Sequence, residues 1–264
     1  DDKHIENDLF QRANAMRLGD VAQSMTIRNG IGWVVVNNSH IVFAIDVETL
    51  REVGRITDLP SPRYICFVSD EKAYISQIDS DRIIVVNPKK FEITGEIVCP
   101  MTTEYRTGST EQMVLLGDYL YVACWSYQKR ILKIDTCTDK VVDYKDIGLQ
   151  PKSMVADKNG KLWVVSDGGY EGNAIGYESA KLYRINPENL EVERMFEIGL
   201  NSSGNATRSA SRLKINDKGD MLYWIDGGVW RMAIDAAELP AEPFIRPIEG
   251  TTLSLYYALG IAPD

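Results

Sequence analysis

Eight aromatic and arginine side chains are the residues of this sequence best suited to holding a small molecule. They lie in predicted loops or at predicted strand ends: Arg63, Tyr64, Tyr105, Arg106, Trp125, Tyr127, Tyr170 and Arg208. An aromatic ring in a loop can stack on a flat ligand, and burying such a ring is worth about 1.5–3 kcal/mol. A guanidinium offers two parallel donors to a phosphate or amide oxygen. The alternative is structural, with the rings packed between neighbouring elements and the arginines paired with carboxylates such as Asp58 or Glu104.

Residues that could perform catalysis or bind a metal are sparse. The sequence has two histidines, His4 near the start and His40 after a polar turn, which are poor positions for a Ser-His-Asp triad or a zinc site. The segments 157–160 (DKNG) and 217–220 (DKGD) resemble calcium loops, but they lack the closing Glu and lie where a first strand must turn into a second. We therefore predict no catalytic residue, no metal site and no cofactor.

Composition excludes several classes of function. The chain has 264 residues, 44% of them hydrophobic, with a net charge of −9 and a pI near 4.9, so nucleic acid is not an expected partner. No apolar run approaches the roughly 18 residues that span a bilayer. Four cysteines without CxxC spacing are expected to be buried, unpaired thiols: Cys66, Cys99, Cys124 and Cys137. Disulfides remain the alternative for an exported protein.

A repeat positions the candidate residues. An aromatic residue recurs in the second strand of each predicted unit: Trp33, Tyr74, Tyr121, Trp163 and Tyr223. A period of about 40–50 residues is typical of a β-propeller. We expect these five rings to pack in the core.

A second landmark supports the same repeat. An Asp or Asn ends the third strand of each unit: Asp46, Asn87, Asp135, Asn186 and Asp235. Its side chain can accept a backbone N–H two residues later and so close the turn to the fourth strand. The stretch from Pro151 to Gly199 shows a whole unit, with four short strands separated by turn residues.

The predicted fold is an all-β propeller of four-stranded antiparallel blades within one domain, residues 1–264. Five complete blades are expected at about 20–60, 61–101, 102–150, 151–208 and 209–252, with partial blades at 1–19 and 253–264. Residues 9–18 are interpreted as an outermost strand, with a helical turn over 10–16 as the alternative, and residues 253–261 as an innermost strand. We expect either a six-bladed ring with a defective closing blade or a fragment of a larger ring. Long loops at 100–110, 167–180 and 201–211 are expected on one face, where binding usually resides.

Short phrases along the whole chain resemble one known family. They are SPRYI at 61–65, KAYIS at 72–76, QPKSM at 150–154, DKNGKLWV at 157–164 and WVVVNN at 33–38. In this order and spacing they are similar to the YncE-like propellers of gut anaerobes, often described as surface-layer-type proteins. The resemblance implies a seven-bladed, exported and often lipid-anchored protein without established enzyme activity. Some members are surface lipoproteins that capture cobalamin and pass it to an outer-membrane transporter.

The sequence therefore predicts a non-catalytic binding protein of the cell envelope. It would act in the periplasm or on the outer cell surface, with any export signal or lipid anchor outside this segment. Its ligand would be a small molecule, a cobalamin-type corrinoid by family resemblance, or its partner a surface protein such as an outer-membrane transporter. One alternative is a propeller enzyme, a lyase or lactonase-like hydrolase with a metal in the central channel. The other is a surface-layer scaffold.

Overall fold

The computed structural model describes residues 6–103, 105, 107–199, 210–247, 256 and 258–261. The chain divides into two compact units, residues 1–98 and 99–264. Antiparallel strands make up both units, and within the described ranges the only α-helix is α1, Leu9–Asn14.

The first unit contains two four-stranded sheets. Their strands are β1 (Ala22–Arg28), β2 (Ile31–Val36), β3 (Ile41–Asp46) and β4 (Glu52–Ile56), then β5 (Pro62–Phe67), β6 (Ala73–Gln77), β7 (Arg82–Asn87) and β8 (Glu92–Val98). In each sheet, every strand is hydrogen-bonded to the next one along the chain. This simple meander is the topology of a propeller blade.

The second unit contains three sheets of the same kind. Their strands are β9 (Met113–Leu116), β10 (Tyr119–Cys124), β11 (Arg130–Asp135) and β12 (Lys140–Asp146), then β13 (Pro151–Ala156), β14 (Leu162–Ser166), β15 (Ala180–Ile185) and β16 (Val192–Gly199), then β17 (Ser211–Ile215), β18 (Met221–Asp226) and β19 (Gly228–Ala233). The last sheet has three strands in the described ranges. A single bridge between Val229 and Ile245 lies on the free side of β19, where a fourth strand would pair.

The five antiparallel sheets confirm the predicted fold class, an all-β propeller built from blades. The organisation of the whole chain as one incomplete ring stays a prediction. The strand predicted for residues 9–18 is wrong, because this segment forms α1 followed by irregular backbone, which agrees with the alternative of a helical turn. Of the strand predicted for residues 253–261, residues 253–255 and 257 lie outside the described ranges, and the remaining residues are not in a strand.

The helix α1 forms because its apolar side chains have a sheet to cover. Phe10 of α1 packs on the first sheet, with its ring 5.2 Å from that of Phe43, and Leu18 packs there from the segment after the helix. Asn14 fixes the end of the helix, since its Nδ2 donates to the carbonyl of Leu50 (2.9 Å) and its Oδ1 accepts from the N–H of Glu52 (2.8 Å). Among the described residues, no helix has the length and apolar character needed to cross a lipid bilayer.

The turns between third and fourth strands have the expected chemistry. Oδ1 of Asp46 accepts from the backbone N–H groups of Thr49 (2.8 Å) and Glu48 (3.2 Å). These bonds stabilise the carboxylate, so hydrogen bonding from the Thr49 backbone, above all, lowers the pKa of Asp46 below its ordinary value. The same side-chain acceptor occurs in the next three blades: Asn87, Asp135 and Asn186. The same type of Asp or Asn hydrogen bond therefore closes this turn in four blades.

Four of the five repeated aromatic residues lie in the core, as predicted. Trp33, Tyr74, Tyr121 and Trp163 are buried. Tyr223 is only half-buried, against the ring of Phe244 at 6.4 Å, so its assignment to the core is wrong. Its neighbour Trp224 is buried in its place and stacks on Trp230 at 6.2 Å. The larger indole gives the greater apolar burial at this position.

None of the four cysteines forms a disulfide, as predicted, but they are not all buried. Cys99 and Cys124 are buried, Cys66 is half-buried, and Cys137 is exposed in the turn after β11. Burial raises the pKa of Cys66 to about 11 and that of Cys124 well above its ordinary value. A thiol in an apolar environment resists ionisation and reacts slowly. Cys137 is therefore the accessible thiol of the four.

Candidate functional site

The structure places the candidate binding residues in both units. Arg63 and Tyr64 belong to β5 of the first unit, where Arg63 is buried and Tyr64 half-buried. The second unit contains Tyr105, Trp125, Tyr127 and Tyr170. The two remaining candidates, Arg106 and Arg208, lie outside the described residues. Contacts among the candidate side chains are therefore considered within the second unit.

Three tyrosines of the second unit meet at its surface and form a tyrosine cluster, Tyr105, Tyr127 and Tyr170. The ring centroids of Tyr105 and Tyr127 lie 4.6 Å apart at an interplanar angle of 52°. The hydroxyl oxygens of Tyr127 and Tyr170 lie 3.1 Å apart, within hydrogen-bonding distance. Tyr105 and Tyr170 are 48% and 49% exposed. The cluster therefore presents ring faces and a hydroxyl pair to solvent.

Asp167 is the buried acceptor beneath this surface. Its Oδ1 accepts from Nε2 of Gln150 (2.8 Å) and from the N–H of Gly169 (2.9 Å). Its Oδ2 accepts from the indole N–H of Trp125 (2.9 Å) and lies 3.5 Å from Nζ of Lys152. A buried carboxylate with this many donors is strongly held, and it fixes the side chains that bond to it.

Gln150 connects Asp167 to the tyrosine cluster. Its Oε1 accepts from the backbone N–H of Tyr127 (3.3 Å) and from Nδ2 of Asn173 (3.1 Å). Gln150 is itself buried, so both ends of one amide are satisfied away from water. Tyr127 adopts a left-handed backbone at φ +60°, which this bond helps to hold.

The loop that carries Tyr170 depends on a glycine. At Gly168 the backbone has φ +77°, and a Cβ there would lie far inside van der Waals distance of the Glu178 carbonyl oxygen. The close approach is fixed by the bond from the N–H of Glu178 to the carbonyl of Gly168 (3.0 Å). Oε1 of Glu178 also accepts from the N–H of Leu149 (2.6 Å). The long loop between β14 and β15 is therefore internally bonded.

The site offers aromatic rings and hydrogen-bonding groups. Lys152 lies over one face of Trp125, with Nζ 4.5 Å from the ring centroid, so this face is covered. The half-exposed rings of the cluster are those of Tyr105 and Tyr170. Among the described residues, no group of three His, Cys, Asp or Glu side chains is placed to hold a metal ion. The predicted calcium-like segment at 157–160 is a plain turn, closed by the bond from the N–H of Gly160 to the carbonyl of Asp157 (2.9 Å).

Comparison with protein families gives one match over the full chain, residues 1–264, to the family described as domain of unknown function DUF5074. The chain belongs to the DUF5074 family. A comparison with curated proteins finds no significant match.

Three solved structures share the propeller fold with this DUF5074 chain. Kuenenia stuttgartiensis hydrazine synthase gives a TM-score of 0.60 at 16% identity, covering 92% of this chain and 71% of that chain. A chain of the mitotic checkpoint complex gives 0.59 at 10% identity, covering 80% and 61%. The Cps50 (Swd1) beta-propeller domain of Myceliophteria thermophila gives 0.60 at 11% identity, covering 83% and 71%. One neighbour is named as an enzyme and another as part of a complex, so the fold alone does not decide the function.

Sequence reasoning missed the buried support of this DUF5074 site. Asp167, Gln150 and Lys152 were not candidates, because each reads in sequence as an ordinary polar residue beside a turn. Asp167 directly follows β14, and Gln150 directly precedes β13. Because Pro151 pairs with Ser166, Gln150 and Asp167 lie next to each other just beyond the end of this strand pair. A polar residue immediately outside each of two neighbouring buried strands is the sequence feature that could have indicated them.

Proposed function

We propose that this protein is a non-catalytic binding protein and that the tyrosine cluster is its ligand site. The observation that carries the proposal is the pairing of exposed rings with a buried polar support. Half-exposed tyrosines lose little conformational freedom on binding when their backbone is already held, as Gln150 holds Tyr127. Amphipathic rings of this kind are typical of recognition surfaces. The ligand would be flat, with polar groups at its edge that meet the Tyr127 and Tyr170 hydroxyls.

We propose a cobalamin-type corrinoid as the first ligand to test, by resemblance to the surface-exposed YncE-like propellers. A corrin ring offers a broad apolar face with amide groups at its edge, which suits tyrosine rings and hydroxyls. The same resemblance supports an exported protein of the periplasm or outer cell surface, with an outer-membrane transporter as the partner that receives the cargo. The fold itself is compatible with ligand or partner binding.

Equilibrium titration with cyanocobalamin tests the ligand and the site together. We expect Tyr170→Ala to weaken binding about tenfold or more, because a lost ring contact and a lost hydroxyl partner together remove about 1.5–3 kcal/mol. The matched control is Tyr144→Ala in β12, since Tyr144 has similar exposure (51%) but packs under Arg130, 3.9 Å from its ring. The control should bind as the unmodified protein does.

The titration separates the two parts of the proposal. Absence of binding at high micromolar cyanocobalamin would eliminate the corrinoid. Equal weakening by Tyr170→Ala and Tyr144→Ala would remove the tyrosine cluster as the site while leaving the ligand in place.

A further inference from the structure

Two Asn–Gly pairs occur in the sequence, Asn29–Gly30 and Asn159–Gly160, and each lies in the turn between the first and second strands of a blade. In such a pair the backbone nitrogen of the glycine can attack the side-chain amide carbon of the asparagine, because glycine has no side chain to shield its nitrogen. The asparagine then loses ammonia. The two turns differ in how well they protect the atoms that take part.

The turn that contains Asn159 is held by Asp157. The N–H of Gly160, which is the attacking group, donates to the carbonyl of Asp157 (2.9 Å). Oδ1 of Asp157 accepts from the N–H groups of Asn159 (2.8 Å) and Lys161 (3.0 Å), and its Oδ2 accepts from the indole N–H of the buried Trp163 (2.9 Å). Attack would have to break the first of these bonds and bend a turn that the others fix, so this site is protected.

The turn that contains Asn29 is more open. It is a two-residue hairpin loop, since Arg28 pairs with Ile31, and both loop residues are exposed. Positive φ angles of 51° at Asn29 and 75° at Gly30 fit a type I′ turn, for which Asn–Gly is a favoured pair. The carbonyl of Gly30 accepts from the N–H of Val47 (3.0 Å), which restrains the carbonyl side of this residue and not its nitrogen.

One hydrogen bond restrains the side chain of Asn29. Its Nδ2 donates to Oδ1 of Asp70 at 3.2 Å, at the long end of the usual range. The same oxygen accepts from Nη2 of Arg28 at 2.8 Å. The Asp70 side chain is 68% exposed, so water competes for these bonds. The Asn29 amide is therefore held only weakly, in contrast to the turn fixed by Asp157.

We propose that Asn29 is a deamidation site, at which the hairpin between β1 and β2 undergoes a covalent change. The nitrogen of Gly30 forms a bond to Cγ of Asn29, and the Nδ2 group leaves with the Gly30 proton as ammonia, so that a succinimide ring remains. Water then opens the ring at either of its carbonyls, which gives aspartate or isoaspartate. Either product places a new carboxylate beside Asp70, where the two negative charges repel each other.

Peptide mapping by mass spectrometry, after incubation of the whole protein in mildly alkaline buffer, compares the two sites in one sample. We expect Asn29 to deamidate at least about fivefold faster than Asn159, a factor that one additional hydrogen bond at Gly160 accounts for. Labelling by a protein isoaspartyl methyltransferase should locate isoaspartate at position 29. In the urea-denatured protein the two rates should become similar, because both turns are lost. Equal rates in the native protein, or a faster reaction at Asn159, would overturn the proposal.

A pair of matched variants tests the role of Asp70. Asp70→Ala releases the Asn29 amide and should raise the deamidation rate at Asn29 about threefold, while the rate at Asn159 stays the same. The control is Glu71→Ala, which removes the same charge from the adjacent exposed residue and should leave both rates unchanged. An unchanged Asn29 rate in Asp70→Ala, or equal acceleration by the two variants, would contradict the restraint assigned to the Asp70 hydrogen bond.

Discussion

Replacing Gly168 with alanine is expected to lower the free energy of unfolding by about 3 kcal/mol and to disrupt the tyrosine cluster. The backbone at Gly168 has φ +77°, which costs an L-residue about 1–2 kcal/mol. The added methyl group also collides with the carbonyl of Glu178, a backbone atom that cannot move without breaking the bonds of the loop. Urea denaturation measures the stability. Near-ultraviolet circular dichroism reports the packing of the tyrosine rings.

Gly172→Ala is the control for this experiment. Gly172 lies in the same loop with φ +83°, but a Cβ there has no atom within 4 Å. It should therefore incur only the backbone cost of about 1–2 kcal/mol and leave the tyrosine signal intact. Equal destabilisation by the two substitutions would show that the contact between Gly168 and Glu178 does not hold the loop.

Asp167→Asn is the second substitution with a large expected effect, a loss of about 3 kcal/mol together with loss of the tyrosine cluster's order. Both oxygens of Asp167 accept hydrogen bonds, and one of them also faces the ammonium group of Lys152. An asparagine keeps one acceptor oxygen and turns an NH₂ group toward donors, which leaves buried N–H groups and a cation without a partner. Chemical denaturation gives the stability change, and near-ultraviolet circular dichroism gives the change in the rings.

Asp157→Asn provides the comparison. Asp157 is also buried and also accepts from a tryptophan N–H at 2.9 Å, that of Trp163. Its other bonds go to the backbone of its own turn, at Asn159 and Lys161. We expect Asp157→Asn to destabilise the protein while the tyrosine signal of the native state is preserved. If Asp167→Asn also preserved that signal, Asp167 would have no positioning role.

The blade repeat could be predicted because its causes are local. A ring such as Trp163 recurs at one strand position, and an acceptor such as Asp46 closes one type of turn, so the sequence shows both at a fixed period. The prediction failed where the local pattern was ambiguous. A short apolar segment at residues 9–18 fits a strand or a helix, and its contact with Phe43 decides between them. Likewise, the sequence alone does not show which of two adjacent aromatic residues, Tyr223 or Trp224, faces the core.

The candidate sites were only partly predictable, because their support depends on contacts between distant residues. Sequence indicated Tyr127 and Tyr170 as loop aromatics, but Asp167 acquires its role only when folding brings Trp125 and Gln150 to it.

The four thiols differ in burial, so two of them, Cys66 and Cys124, can report unfolding through their chemical modification. A maleimide dye has Cys137 within reach in the native state, whereas Cys66 of the first unit and Cys124 of the second are protected by burial and by raised pKa values. Mass spectrometry after timed alkylation in mild denaturant would record when each of these two residues becomes modified. The order of modification would tell which half of the chain opens first, without any introduced label.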